Sequence, residues 1–215
     1  MGTPPVTIAG SIKQSGSAVS GAVHVDGSNC FDQPTTISLT GTLTGNNISL
    51  TSTSVGGQVT TFTGSITDTA LTGTYAVTGG CADGDQGTVT GIKILSITGA
   101  LSGTFTTSDK ETFNVAAQVT QGGAGSEGSF GLTGTVTFGS SCFSSGTITP
   151  GTFPSGSFIL GTHVAIEIKT DNGTVAFLGT ANQATGEISG DYTVVGGTCD
   201  HSGTAALDAS SPWDY

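Results

Sequence analysis

The chain contains no arginine and only four lysines, Lys13, Lys93, Lys110 and Lys169, in 215 residues. Binding a nucleic acid requires cationic side chains that displace counterions along the phosphates, so the sequence argues against a nucleic-acid partner. Anionic membrane surfaces are disfavoured on the same ground. Charge of either sign is scarce: 9% of residues are charged, and the net charge is −11, where soluble domains usually carry about 25% charged residues. The acidity that remains serves solubility. Long apolar runs are missing too. None approaches the roughly 20 residues of a membrane-spanning helix, so no transmembrane segment is expected. Aromatic residues make up 7%, too few to suggest the paired girdles of an outer-membrane barrel. No secretory leader precedes "GTPPVTIAG", and the cysteine, Thr, Ser and Gly usage favours a leader trimmed from a secreted precursor.

Glycine, threonine and serine take the place of charge, with 36 glycines alone. Threonine is β-branched and suits a pleated, half-exposed surface, so composition already points to sheet. Periodicity agrees. In "TISLTGTLT" Ile37, Leu39 and Leu43 alternate with Ser38, Thr40, Thr42 and Thr44. Val164, Ile166 and Ile168 alternate in the same way with Ala165, Glu167 and Lys169. A period of two with one apolar face describes a strand with one buried and one wet side. Short Gly/Asn/Asp turns such as "TGNN" at 44–47 and "TDNG" at 170–173 favour antiparallel hairpins over crossover helices.

The chain also repeats itself. "GTYAVTGGCADGDQGT" at 73–88 returns as "GDYTVVGGTCDHSGT" at 190–204, and "SNCF" at 28–31 returns as "SSCF" at 140–143. A unit of roughly a hundred residues is too long for a solenoid coil and suits a small domain. This predicts two domains, 1–94 and 95–209, followed by a C-terminal tail at 210–215 that carries the only tryptophan, Trp213.

The second copy divides into eight expected strands at 96–106, 111–120, 128–138, 152–160, 163–170, 173–181, 186–196 and 201–209. The first divides into seven, at 6–13, 18–26, 35–44, 47–54, 58–67, 70–79 and 86–94. "PPVTIAGSIKQ" aligns with the second strand of the later copy, "TFNVAAQVTQ", so the first copy lacks its first strand; that strand lies upstream in a precursor, is shared between the copies, or comes from another chain. The expected fold is therefore all-β, two tandem antiparallel meander (up-and-down) barrels of about eight strands, the first one strand short.

Cysteines fall two per copy: Cys30 and Cys81, then Cys142 and Cys199. In a meander, Cys30 and Cys142 follow the third strand of the eight-strand frame and Cys81 and Cys199 follow the seventh, at the same end. A disulfide within each copy fits that geometry, although the sequence leaves three pairings open. Disulfides imply an oxidising compartment: extracellular, cell-surface or periplasmic.

Chemistry-bearing motifs are few. Asp83 and Asp85 in "CADGDQG" form a weak metal candidate, since two carboxylates two apart could help hold Ca²⁺, but the further oxygen ligands of a calcium loop are missing. No zinc spacing occurs, and no cofactor is expected. His24, His163 and His201 are the only imidazoles; without a Gly-x-Ser-x-Gly elbow they do not mark a hydrolase. Asn47-Ile-Ser and Asn172-Gly-Thr match the glycosylation sequon.

With "LTGTY" at 71–75, the eight-strand frame loosely resembles calycin barrels, the lipocalins and avidins. The Gly/Thr-rich strands, "SxCF" and "TGxYxVxGGxC" resemble more closely the tandem barrels of secreted or lipid-anchored bacterial proteins of unassigned function. The lipocalin Gly-x-Trp is replaced here by "SGTF" at 102–105, and the tryptophan-lined pocket of avidin has no counterpart, so no ligand identity carries over. These readings lead to a secreted, non-catalytic barrel protein that binds a small apolar ligand or acts structurally. The alternative is an assembly subunit whose own copies join through the open strand edge of the first repeat. A secreted hydrolase is the weakest of the three.

Overall fold

A computed structural model describes residues 6–94, 96–125, 128–199 and 201–209. Asp200 and the tail with Trp213 lie outside the described residues. The chain divides after Lys93 into two compact units, with the short segment Ala124–Gly128 grouping with the first. No α-helix occurs among the described residues.

The first unit is a seven-strand antiparallel meander: β1 (Thr7–Ser15), β2 (Ala18–Asp26), β3 (Thr35–Thr44), β4 (Asn47–Ser52), β5 (Val59–Ile66), β6 (Ala70–Thr78) and β7 (Gln86–Ile92). Each strand pairs only with its sequence neighbours, in the order β1 to β7, and the sheet curls without closing. Tight turns set its registers. Thr44 pairs with Asn47, and Gly45 between them sits at φ +57°, where a side chain is penalised and glycine is not. The apolar set of each strand faces one way. Val19, Ile48, Leu50 and Phe62 form the buried core, with Leu39, Leu43, Leu71 and Val89 packed against it.

Glycines within the strands serve that packing. Gly64 and Gly73 pair across β5 and β6, and the Phe62 ring lies over both. A Cβ at Gly64 would stand 2.8 Å from Phe62 Cζ, and one at Gly73 would stand 2.7 Å from Phe62 Cε2. The same spacing recurs at Phe177 and Gly179, where a Cβ on Gly179 would stand 2.5 Å from Phe177 Cζ.

The second unit closes. Its strands are β8 (Gly99–Thr107), β9 (Thr112–Ala124), β10 (Phe130–Phe138), β11 (Ser145–Ile148), β12 (Phe158–Leu160), β13 (His163–Thr170), β14 (Gly173–Ala181), β15 (Glu187–Val195) and β16 (Ser202–Ala209). β16 pairs with β8, β8 with β9 and β9 with β10, while β11 and β12 both bridge β10 and β13. Eight strand positions therefore close a barrel, and closure removes every free edge.

The fourth position differs from expectation. The run 152–160 is not one strand; the position is shared by the short β11 and β12, with 149–157 looping out between them. Pro150 and Pro154 interrupt that stretch, and a proline cannot donate to a ladder. Ser157, fully buried, anchors the loop's end: its hydroxyl accepts from the Glu167 amide at 2.8 Å. Leu132, Ile148, Ile159, Val175, Phe177, Ile188 and Tyr192 are among the fully buried side chains that fill the barrel.

Candidate functional site

The two repeats superimpose in register as well as in sequence. Tyr75 pairs with Gly87 across β6 and β7, and Tyr192 pairs with Gly203 across β15 and β16. β7 is therefore the counterpart of β16, and the sequence alignment makes β1 the counterpart of β9, with Ile8 at Val115 and Ile12 at Val119. In the second repeat one strand, β8, lies between these two. In the first repeat no strand among the described residues takes that position, and there β1 pairs with β2 alone and β7 with β6 alone.

The vacancy uncovers side chains that belong inside. Ile8 pairs with Val25, Gly10 with Val23, Ile12 with Gly21 and Gln14 with Val19. Cross-strand partners share a face of the sheet, and Val19 and Val25 are buried, so Ile8 and Ile12 point to the core side. Yet Ile8 is 53% exposed and Ile12 38%, while their counterparts Val115 and Val119 are 4% and 3% exposed. On the other border, Gly87, Val89 and Gly91 of β7 share the face of Tyr75, Gly73 and Leu71. Lysines mark the same borders. Lys13 lies on β1 and Lys93 just beyond β7, and they are the only lysines of residues 1–94.

In the second repeat the covering strand is well defined. β8 runs antiparallel to both neighbours and turns Leu101 and Phe105 inward, 2% and 1% exposed. Phe105 faces Ala205 on one side and Phe113 on the other, and Gly103 faces Leu207 and Val115. Phe105 has small Ala205 on one side and packs against Phe113 on the other, while Gly103 makes room for Leu207 and Val115.

At the cysteine end both repeats are stapled. Cys30 bonds Cys81 and Cys142 bonds Cys199, with Cα separations of 5.6 and 5.9 Å, so the pairing within each copy is the one formed. Around the second bond Asn172 acts as a polar tie. Its Nδ2 donates to Cys142 O at 3.1 Å and Thr198 Oγ1 at 3.0 Å, and its Oδ1 accepts from the Thr198 amide at 3.0 Å. Of the two sequon asparagines, Asn172 thus has its amide engaged, whereas Asn47 is exposed at the start of β4. In the first repeat the equivalent loops meet through glycine. A Cβ at Gly79, which sits at φ +76°, would come within 2.5 Å of Gly57 O.

Asp83 and Asp85 find structural roles at this end. Asp83 Oδ1 accepts from the Gly79 amide at 2.6 Å, and Asp85 Oδ2 accepts from the Tyr75 hydroxyl at 3.1 Å. The second repeat places His201 where the first has Asp85, and Tyr192 Oη lies 3.1 Å from His201 Nδ1. Around that pair Phe105, Phe113, Phe138 and Phe143 pack edge to face, and the Phe143 and His201 rings stack at 6.0 Å. Burial raises the Tyr192 pKa above the usual tyrosine value. Tyr75 is raised too, first by burial and then by its bond to the Asp85 carboxylate and that charge. Sequence reasoning missed both tyrosine pairs, although in each repeat a Tyr is followed by a polar residue just before the last strand, 10 residues on at Asp85 and 9 at His201.

The described residues hold no group of three His, Cys, Asp or Glu placed to share a metal. His24 Nδ1 lies 3.4 Å from Thr36 Oγ1, and His163 is exposed at the start of β13. Inside the second barrel, a void of about 20 Å³ remains among Leu101, Phe105, Val136, Ile166, Phe177 and Leu207. That is space for about one water, whereas ligand pockets run to roughly 300–1,000 Å³.

These features define an all-β protein of two disulfide-stapled, barrel-like repeats, one closed and filled, the other open along one edge. No family model matches the chain, and neither a curated protein nor a solved structure matches it.

Proposed function

We propose that this is a secreted, cell-surface or periplasmic structural protein that joins other polypeptide through the open edge of its first repeat, without catalysis. One observation carries the reading: Ile8 and Ile12 face the core side of β1 and are nonetheless 53% and 38% exposed, where the matched residues of the closed repeat are buried. Free sheet edges are templates for strand addition, and natural proteins normally cover or blunt them. The two disulfides support an oxidising compartment. The near-absence of space inside the second barrel argues against a small apolar ligand held there.

The test is hydrogen exchange on the whole protein across a concentration series, with and without candidate binding chains, followed at β1 and β7. The reading expects the backbone amides of these two strands to gain protection when the protein associates with itself or with another chain. Edges that exchange freely under every condition would sink it. A lipid or saccharide that raises the melting temperature without protecting these strands would favour a ligand-binding barrel instead.

A further inference from the structure

We infer that the vacant position between β7 and β1 accepts a single extended strand of another polypeptide, running antiparallel to both borders, apolar at alternate positions and acidic on its outer face. This rests on the reading of the edge as a joining surface and specifies what joins it.

The second repeat supplies the template. β8 is the strand that occupies this position there, and the register transfers residue by residue. The counterpart of Phe105 lies between Val89 of β7 and Val6, which precedes β1 and is 45% exposed. The counterpart of Gly103 lies between Gly91 and Ile8, and that of Leu101 lies between Gly10 and Lys93, just beyond β7. An incoming strand thus meets Val89 and Val6 at its Phe105 position, Gly91 and Ile8 at its Gly103 position, and the small Gly10 at its Leu101 position. Its direction is fixed as well: β1 and β7 run the same way in a seven-strand meander, so one strand can be antiparallel to both, as β8 is to β9 and β16.

Charge selects the outer face. The acids of the first repeat, Asp26, Asp32, Asp68, Asp83 and Asp85, all lie at strand ends or in turns, and none lies within β1 or β7. Lys13 lies on the outer face of β1, opposite the position that matches Thr98 in the second repeat. A cationic border on a protein of net charge −11 disfavours a basic strand and favours one with Asp or Glu at that position. A second copy does not offer such a strand readily, because its only β8 is already hydrogen-bonded on both sides in a closed barrel.

The probe is a synthetic peptide with the sequence of residues 98–107, TGALSGTFTT, added to the intact oxidised protein. A second peptide carries Leu101→Asp and Phe105→Asp, and a third carries Thr98→Glu. The first should bind one to one, protecting β1 and β7 but not β9 or β16 from exchange. The doubly substituted peptide should bind at least about tenfold more weakly, since burying one such side chain is worth more than the 1.4 kcal/mol that a factor of ten represents. The Glu peptide should bind more tightly at low salt, and that gain should vanish in Lys13→Ala. The protein variant Ile8→Asp with Ile12→Asp should keep its strand content and both disulfides while losing uptake, because both side chains already stand half in water.

Failure has distinct forms. Self-association that protects β1 and β7, with no peptide uptake, would keep the joining edge and overturn the foreign-strand assignment. Uptake that protects β9 and β16 would mean exchange into the second barrel and overturn it as well. Uptake indifferent to the Asp substitutions would reduce binding to nonspecific adhesion. A monomer that takes up nothing overturns both this inference and the reading beneath it.

Discussion

Two repeats built from the same turns, the same staple and the same glycine-and-ring packing differ in one strand position, filled by β8 in the second and by no described strand in the first. With β8 in place, β9 and β16 are sealed on both sides, and Phe105 joins Phe113, Phe138, Phe143 and Tyr192 in an aromatic plug at the cysteine end. Without a counterpart, the first repeat keeps a core around Val19, Ile48, Leu50 and Phe62 that fades toward its borders. A meander sheet holds its middle without the first strand of the eight-strand frame. The missing strand decides whether the module is finished or receptive.

The largest test of that comparison is the staple. Each disulfide closes a loop, with sequence separations of 51 and 57 residues. Chain entropy assigns about 4 kcal/mol to closing loops of that length. Cys30→Ser with Cys81→Ser should leave the first repeat unfolded at moderate temperature while the second stays folded. Cys142→Ser with Cys199→Ser should lower the melting temperature of the second repeat but leave a folded barrel, since its closed ladder holds independently. Scanning calorimetry resolves the two transitions. Equal sensitivity of both repeats would contradict the claim that closure makes the difference.

Next in size are matched core truncations. Phe105→Ala removes a side chain that is 1% exposed and should cost roughly 3–5 kcal/mol. Ile8→Ala acts at a half-exposed position and should cost less than about 1 kcal/mol. Urea melts of the two variants measure the contrast directly. If Ile8→Ala proved as costly as Phe105→Ala, something must already cover β1 in solution.

Much of this was legible in the sequence because the repeat is written in local signals. Alternation located nearly every strand, and paired glycine turns set the hairpin order. The matching positions of Cys30, Cys81, Cys142 and Cys199 indicated the pairing that forms. What escaped was information held across strands. The looped fourth position was hidden because Phe153, Phe158 and Leu160 mimic an apolar strand while Pro150 and Pro154 forbid one. The inward direction of Ile8 and Ile12 depends on the β1–β2 register, and the Asn172 tie joins residues far apart in the chain. Asp83 and Asp85 are only weak metal candidates in the sequence, because carboxylates in a glycine turn serve caps and cations equally well. Their bonds to Gly79 and Tyr75 depend on how the turn folds back on β6, which the sequence does not spell out.

A smaller effect separates how the repeats close their cysteine ends. Asn172→Ala removes the donor to Cys142 O and leaves the Thr198 amide without its acceptor, at a cost of about 1–2 kcal/mol. The first repeat, where glycines bring the loops together without a side-chain tie, should be unaffected. Amide exchange at Thr198 should accelerate in the variant while exchange in 79–85 stays as it was. A change spread over both repeats would show that Asn172 does more than hold its own loop.

The smallest effect is a pH dependence, and it tests the tyrosine pair. Tyr192 is 1% exposed, and burial raises its pKa in the folded state. Unfolded, it titrates near 10. A raised folded pKa means that the folded protein holds the proton more tightly, so the stability this group contributes is complete below about pH 10. It is lost as pH rises through the folded value, because the unfolded chain then gives up its proton first. Tyr75 follows the same sign, but its half-exposed position lets solvent screen most of the effect. Tyr192→Phe should therefore flatten the alkaline fall in stability of the second repeat, whereas Tyr75→Phe should change the first very little. Denaturant midpoints measured between pH 8 and pH 11 in about half-unit steps would read both slopes. Equal flattening by the two substitutions would mean that Tyr75 is as enclosed as Tyr192, and that the first repeat is closed at this end after all.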